Sequence, residues 1–163
     1  MKERDEVSAV ETDKGARRGE VSLLGRSETR LPASPEEARI EVFANRTPAR
    51  RYRVTLDCCE FTSLCPVTGQ PDMARIRICY EPAETCVETK SVKFYLASFR
   101  NTEAFNEDVV NRILDDLVAA CAPRAMVVRG DFGSRGGIRL TCQAAWPEEC
   151  ALAGMWEGGC SEG

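Results

Sequence analysis

The fold turns on one stretch, RYRVTLDCCEFTSLCPVTGQPDMARIRICY, residues 51–80. Its opening, RYRVTLDC at 51–58, alternates, with Tyr52, Val54 and Leu56 on one face, as a strand buried on one side must. Its end, MARIRICY at 73–80, alternates as well: Ile76, Ile78 and Tyr80 share one face, and Arg75, Arg77 and Cys79 share the other. Two strands therefore flank CEFTSLCPVTGQPD, a connection rich in Thr, Ser, Pro and Gly.

Beyond this pair the period changes. From 84 to 100 alternation stops and Val92, Leu96 and Phe99 recur at helical spacing, widened by Phe94 and Tyr95, which predicts a helix over 84–100. A second helix is clearer, because Phe105, Val109, Val110, Ile113, Leu114, Leu117, Val118 and Cys121 form one apolar stripe that Pro123 ends. Asn101 or Thr102 is the expected cap. AMVVRGDF (125–132) and GIRLTCQ (137–143) read as two strands around a Gly133-Ser134-Arg135-Gly136 turn. The order ββααββ predicts an α+β domain, an antiparallel sheet with both helices on one face. Four strands leave two open edges, so a homo-oligomer that pairs them is expected.

The flanks are of another kind. Residues 1–20 alternate charge and read as a disordered polar tail. Residues 21–50, with Pro32, Pro35 and Pro48, read as a loose lead-in to the folded unit of 21–145, with regular structure starting near Arg51. Residues 146–163 read as a flexible C-terminal tail.

Composition narrows the function. The chain has 163 residues, 43% hydrophobic and 29% charged, which suits one globular domain. A net charge of -4 argues against a nucleic-acid partner. No apolar run reaches the roughly 20 residues that span a bilayer, and the N-terminus lacks the apolar core of a signal peptide, so a cytoplasmic location is expected. The 9 cysteines are odd in number and form no C-x-x-C pair, and the chain holds no histidine. That disfavours a disulfide framework and a zinc site, and it removes every Ser-His or Cys-His catalytic pair.

What remains is Cys, Asp, Glu, Lys and Tyr chemistry. Cys65 lies on the loop between the first two strands, where a candidate nucleophile belongs, although an isolated cysteine is more often a plain buried thiol. Asp72, past the Gly69-Gln70-Pro71 turn, can fold back toward it; it can equally serve as a turn residue. Glu107 and Asp108 open the second helix, where capping alone accounts for carboxylates. Lys90 and Lys93 share a helix face and can hold a phosphate or simply meet solvent. Arg135-Gly136-Gly137 fits an anion grip and also a hairpin turn.

Taken in order, EFTSLCPVTGQPD, VETKSVKFYLASFRN, FNED and SRGGI resemble the short, single-module form of the 7-cyano-7-deazaguanine reductase (QueF) family, over about residues 21–143. The resemblance implies a tunnelling fold (T-fold), in which ββααββ subunits join edge to edge into stacked rings. It implies NADPH-dependent reduction of the nitrile of 7-cyano-7-deazaguanine to an aminomethyl group, a small-molecule step toward queuosine in tRNA, without a metal. By motif, Cys65 resembles the nucleophile that forms a thioimide and Asp72 the proton-transfer residue. Val87, Glu88 and Thr89, with Asn106 and Glu107, resemble the substrate-binding positions. Lys90, Lys93, Arg135 and Gly136 resemble the NADPH side. The family usually carries histidine where this chain has Asn106, which keeps hydrogen bonding and loses a titrating proton. Two rival readings are an amidine-forming relative that delivers ammonia to the thioimide on tRNA, and a non-catalytic purine-binding ring protein. The zinc-dependent GTP cyclohydrolase type, a relative by fold, lacks its histidine-bearing site here.

Overall fold

A computed structural model describes residues 30–156. In chain order they form β1 (Val42–Ala44), β2 (Val54–Leu64), β3 (Pro71–Glu81), β4 (Thr85–Val87), α1 (Thr89–Ser98), α2 (Asn106–Cys121), β5 (Ala125–Phe132) and β6 (Thr141–Trp146). The main sheet is antiparallel in the order β2-β3-β5-β6, so β2 and β6 are its edges. The expected α+β order is present in β2, β3, α1, α2, β5 and β6.

The period-2 positions of β3 and β5 face the helices. Ile76, Ile78, Tyr80, Met126 and Val128 are buried with Val92 and Leu96 of α1 and with Val110, Ile113 and Leu117 of α2 in one apolar core. At Gly130 the helix comes so near the sheet that a Cβ would lie 2.9 Å from Val110 and 2.7 Å from Phe132. The left-handed Ala122 (φ 42°) terminates α2, its amide bonded to the Val118 carbonyl, with Pro123 next.

Several expectations are corrected. β2 continues to Leu64 and β3 begins at Pro71, so the long loop shrinks to residues 65–70. The register slips by one residue between Cys58 and Phe61, a bulge that breaks the alternation and disguises the strand beyond it. Residues 85–87 are not helical: they pair as β4 with β1, Val42 opposite Val87. Regular structure thus begins before Arg51. The lead-in is held by a Glu36–Arg112 ion pair of 2.7 Å and by Arg100 donating to the Pro32 carbonyl. Neither Asn101 nor Thr102 caps α2. Asn101 ends a short 3-10 turn, and the Thr102 carbonyl accepts the Leu64 amide instead. Phe105 takes the cap position without a side-chain bond.

The segment after Trp146, expected as a loose tail, is anchored as far as Leu152. Cys150 and Leu152 bury themselves against Cys79 and Val127 on the sheet face away from the helices. The expected tail at 1–20 and the end of the chain beyond 156 lie outside the described residues.

Candidate active site

Cys65 follows the last residue of β2 and opens a tight turn. Its amide donates to the Gln70 carbonyl and its carbonyl accepts the Gly69 amide, each at 2.9 Å. Gly69 sits at φ 65°, a conformation that glycine adopts without strain. The turn folds donors onto the half-buried sulfur: the Thr68 hydroxyl first, then the Val67 and Thr68 amides and the Arg135 side chain. Together they pull the thiol down from the ordinary range to about 7. Near neutrality it is substantially thiolate, the nucleophilic form.

Asp72, near the start of β3, stands opposite Ser63 of β2 in the ladder, and both side chains are buried. Its carboxylate meets Arg135 at 2.7 Å, and the same Arg135 nitrogen reaches the Gln70 and Pro71 carbonyls at 3.2 and 3.1 Å. Arg135 comes from a turn closed by reciprocal backbone bonds with Ile138. Gly136 and Gly137 occupy it at φ 56° and 82°, in open space, so backbone conformation rather than crowding calls for glycine there. Cys65, Asp72 and Arg135 thus converge, although three different elements supply them.

Asn106 and Glu107 open α2, and the segment leading to them is stitched to the end of β2 that leads into Cys65: Leu64 donates to the Thr102 carbonyl and accepts the Ala104 amide. The Glu107 residue is exposed. Asn106 Oδ1 is buried and finds no hydrogen-bond partner among the described residues.

The other candidates lie elsewhere. Glu88 is buried and N-caps α1, its two carboxylate oxygens accepting the Lys90 and Ser91 amides at 2.8 and 2.7 Å. Val87 is buried in β4, its amide directed to the Tyr80 hydroxyl. Thr89 and Lys93 border a groove of about 480 Å³ between α1 and β2, floored by Phe61, Val92 and Leu96. The Lys90 ammonium lies 5.8 Å from the Phe94 ring centroid. α1 has 10 residues, so at about 1.5 Å per residue it is ~15 Å long. Thr62 of β2 and Arg100, just past α1, line the same groove.

Sequence reading missed Thr68 and Ser63. Thr68 follows Cys65 at a spacing that lets a hydroxyl fold back in a turn, a signal that was available. Ser63 shares the Cys65 side of β2 by parity, but the bulge hid that parity. Nothing local announces the contact between Arg135 and Asp72.

Among the described residues no helix is long and apolar enough to cross a membrane. Residues 71–150 match the family model described as QueF-like protein. A protein of Anaeromyxobacter sp. (strain K) named NADPH-dependent 7-cyano-7-deazaguanine reductase is 51% identical over 121 residues, 74% of this chain and 98% of its own. Proteins of the same name from Magnetococcus marinus and Porphyromonas gingivalis are 53% and 51% identical, over 66% and 77% of this chain and 84% and 82% of theirs. In fold, the chain is similar to the crystal structure of the archaeosine synthase QueF-Like in the apo form, with a TM-score of 0.52 at 20% identity, covering 58% of this chain and 91% of that one. With 51% identity across 98% of such a relative, the chain belongs to the NADPH-dependent 7-cyano-7-deazaguanine reductase family.

Proposed function

We propose that this protein reduces the nitrile of 7-cyano-7-deazaguanine to a primary amine with two equivalents of NADPH, through a thioimide on Cys65. The observation that carries the reading is a thiol drawn down to about 7 that shares Arg135 with a buried carboxylate. Nitrile carbon is a poor hydride acceptor, and covalent addition converts it into a better one. The Cys65 sulfur bonds to that carbon while one π pair of the C≡N bond moves to nitrogen. Asp72 relays a proton from solvent to this nitrogen, which leaves a C=NH carbon bound to sulfur. NADPH, when bound, supplies hydride to this carbon. The C–S bond then breaks, sulfur keeps the electron pair as the Cys65 thiolate, and an imine remains. A second hydride and proton complete the amine, so one nitrile consumes two hydrides and two protons.

Exposed Glu107 at the start of α2 suits the adjacent N–H donors of a guanine-like edge. Asn106, with its inward Oδ1, supports orientation there without titrating. Glu88 and Thr89 form the other substrate-facing segment. The groove between α1 and β2 falls within the range of roughly 300–1,000 Å³ usual for ligand sites. Its apolar floor and Lys93 rim suit a flat ring and phosphates, with Lys90 one turn back and Arg135-Gly136 on the far hairpin. The two open edges of the main sheet, β2 and β6, support rings in which copies of this chain join edge to edge and complete the site between them. A small-molecule substrate, no nucleic-acid partner and a cytoplasmic setting complete the reading, consistent with the acidic balance of the chain.

The test is to mix the protein with 7-cyano-7-deazaguanine and NADPH and to follow nicotinamide absorbance. Two NADPH consumed per nitrile is the expected result. An adduct on Cys65 without oxidation would transfer the protein to amidine chemistry. Neither adduct nor oxidation would leave only a binding protein.

A further inference from the structure

We propose that Arg135 is a positioning residue for the nucleophile and the acid together, clamping the Cys65 turn onto Asp72 before any cofactor arrives. This deepens the nitrile-reductase reading and rests on it. The motif reading placed Arg135 on the cofactor's phosphates, yet in the structure one of its terminal nitrogens already lies within 3.2 Å of three acceptors. One of them, the Gln70 carbonyl, also accepts the Cys65 amide and so closes the nucleophile's turn. Another is the carboxylate of Asp72, which is only 7% exposed. A single guanidinium thereby ties the turn, its closing bond and the acid into one unit.

The anchoring is suited to this. Reciprocal backbone bonds between Arg135 and Ile138 fix the base of the side chain, and the Gly133 amide bonds to the Met73 carbonyl, one residue past Asp72. The hairpin is thus docked on the strand that carries the acid. All three contacts fall on one nitrogen whose position the rigid plane of the guanidinium fixes, whereas a lysine ammonium offers a point charge on a flexible stem. Cys65 is faced by Thr68 and the Val67 and Thr68 amides from its own turn, and by Arg135 from the hairpin. Asp72 stands beyond Arg135 on β3, and Glu103 lies on the segment bridged to Leu64.

Adduct formation with the nitrile needs no NADPH, so it separates clamping from cofactor binding. The experiment measures, for the wild type, Arg135→Lys and Arg135→Ala, the rate of the Cys65 adduct with 7-cyano-7-deazaguanine by mass spectrometry without NADPH. It also measures the pH dependence of Cys65 alkylation by iodoacetamide. Arg135 is 40% exposed, and circular dichroism checks that both variants fold. Adduct formation is expected to slow on the order of 10- to 100-fold in both variants. The alkylation midpoint should rise above about 7 by the smaller share that Arg135 adds to Thr68 and the Val67 and Thr68 amides. Wild-type adduct rates and midpoints in both variants, with only the KM for NADPH raised, would overturn the clamp. So would full rescue of both readouts by lysine, because charge alone would then suffice. A wild-type protein that forms no adduct refutes the nitrile reading instead, and the alkylation profile still decides on Arg135.

Discussion

Arg77 of β3 and Arg129 of β5 stand directly opposite one another across the sheet, and Asp131 lies between them, 2.6 Å from the first and 3.0 Å from the second. Like charges paired across a ladder destabilise it, and this carboxylate offsets the repulsion between the two arginines. Burial pushes the Asp131 carboxyl up, but Arg129, Arg77 and Thr141 outweigh it and keep it below the usual range. A carboxyl lowered in the folded state stabilises above its unfolded value of about 4, and that contribution is lost as pH falls through the folded value. Asp131→Asn should therefore cost about 1–3 kcal/mol at pH 7. In urea denaturation at pH 7 and pH 3 the gap to wild type should narrow at the lower pH; an unchanged gap would show that the carboxylate charge is not the cause.

The second prediction concerns the pH profile of the nucleophile. With the thiol at about 7 and no histidine in the chain, adduct formation should rise along a single ionisation with its half-maximum near that pH. Cys65→Ala should remove the adduct and lower turnover on the order of 10³-fold or more. Residual reduction at wild-type rate would exclude the thioimide.

A third prediction tests packing behind the site. A Cβ on Gly130 would meet Phe132, Val110 and Ile76 at 2.7, 2.9 and 3.2 Å, and all three side chains are buried. Gly130→Ala should therefore destabilise by about 1–3 kcal/mol through overpacking between α2 and the sheet. Thermal melting of the purified variant decides it, and an unchanged midpoint would mean that the helix gives way freely.

Glu88 permits a separation of fold from binding. Glu88→Ala removes the acceptor for two helix-terminal amides and should cost about 0.5–2 kcal/mol. Glu88→Gln keeps an acceptor and loses the charge, so its stability should stay closer to wild type. A raised dissociation constant for the deazaguanine in the Gln variant would place the carboxylate charge on the substrate. An unchanged constant would leave Glu88 as a cap alone.

The alternating faces around Ile76 and Ile78 and the stripe from Val109 to Leu117 made the sheet and the second helix legible, because burial imposes its period directly on the sequence. The bulge after Cys58 defeated the same logic, since one inserted residue exchanges the two faces. The pairing of β1 with β4 was invisible because three residues are too few to show a period, and their partner lies across the chain. Cys65 and Asp72 stood out through turn chemistry around Gly69 and Pro71. The attachment of Arg135 to Asp72 depends on how a distant hairpin docks, which local pattern does not encode.

The donors around Cys65 have a further chemical cost. Burial pushes the thiols of Cys58, Cys79, Cys121 and Cys142 up, that of Cys121 to about 12, while among the described residues Cys65 is the one shifted thiol that moves down. A thiolate ready for a nitrile carbon is equally ready for peroxide, and the first equivalents of oxidant convert it to the sulfenic acid. Storage in air should therefore abolish adduct formation on Cys65 while the fold stays intact, and a thiol reductant should restore it as long as oxidation has gone no further.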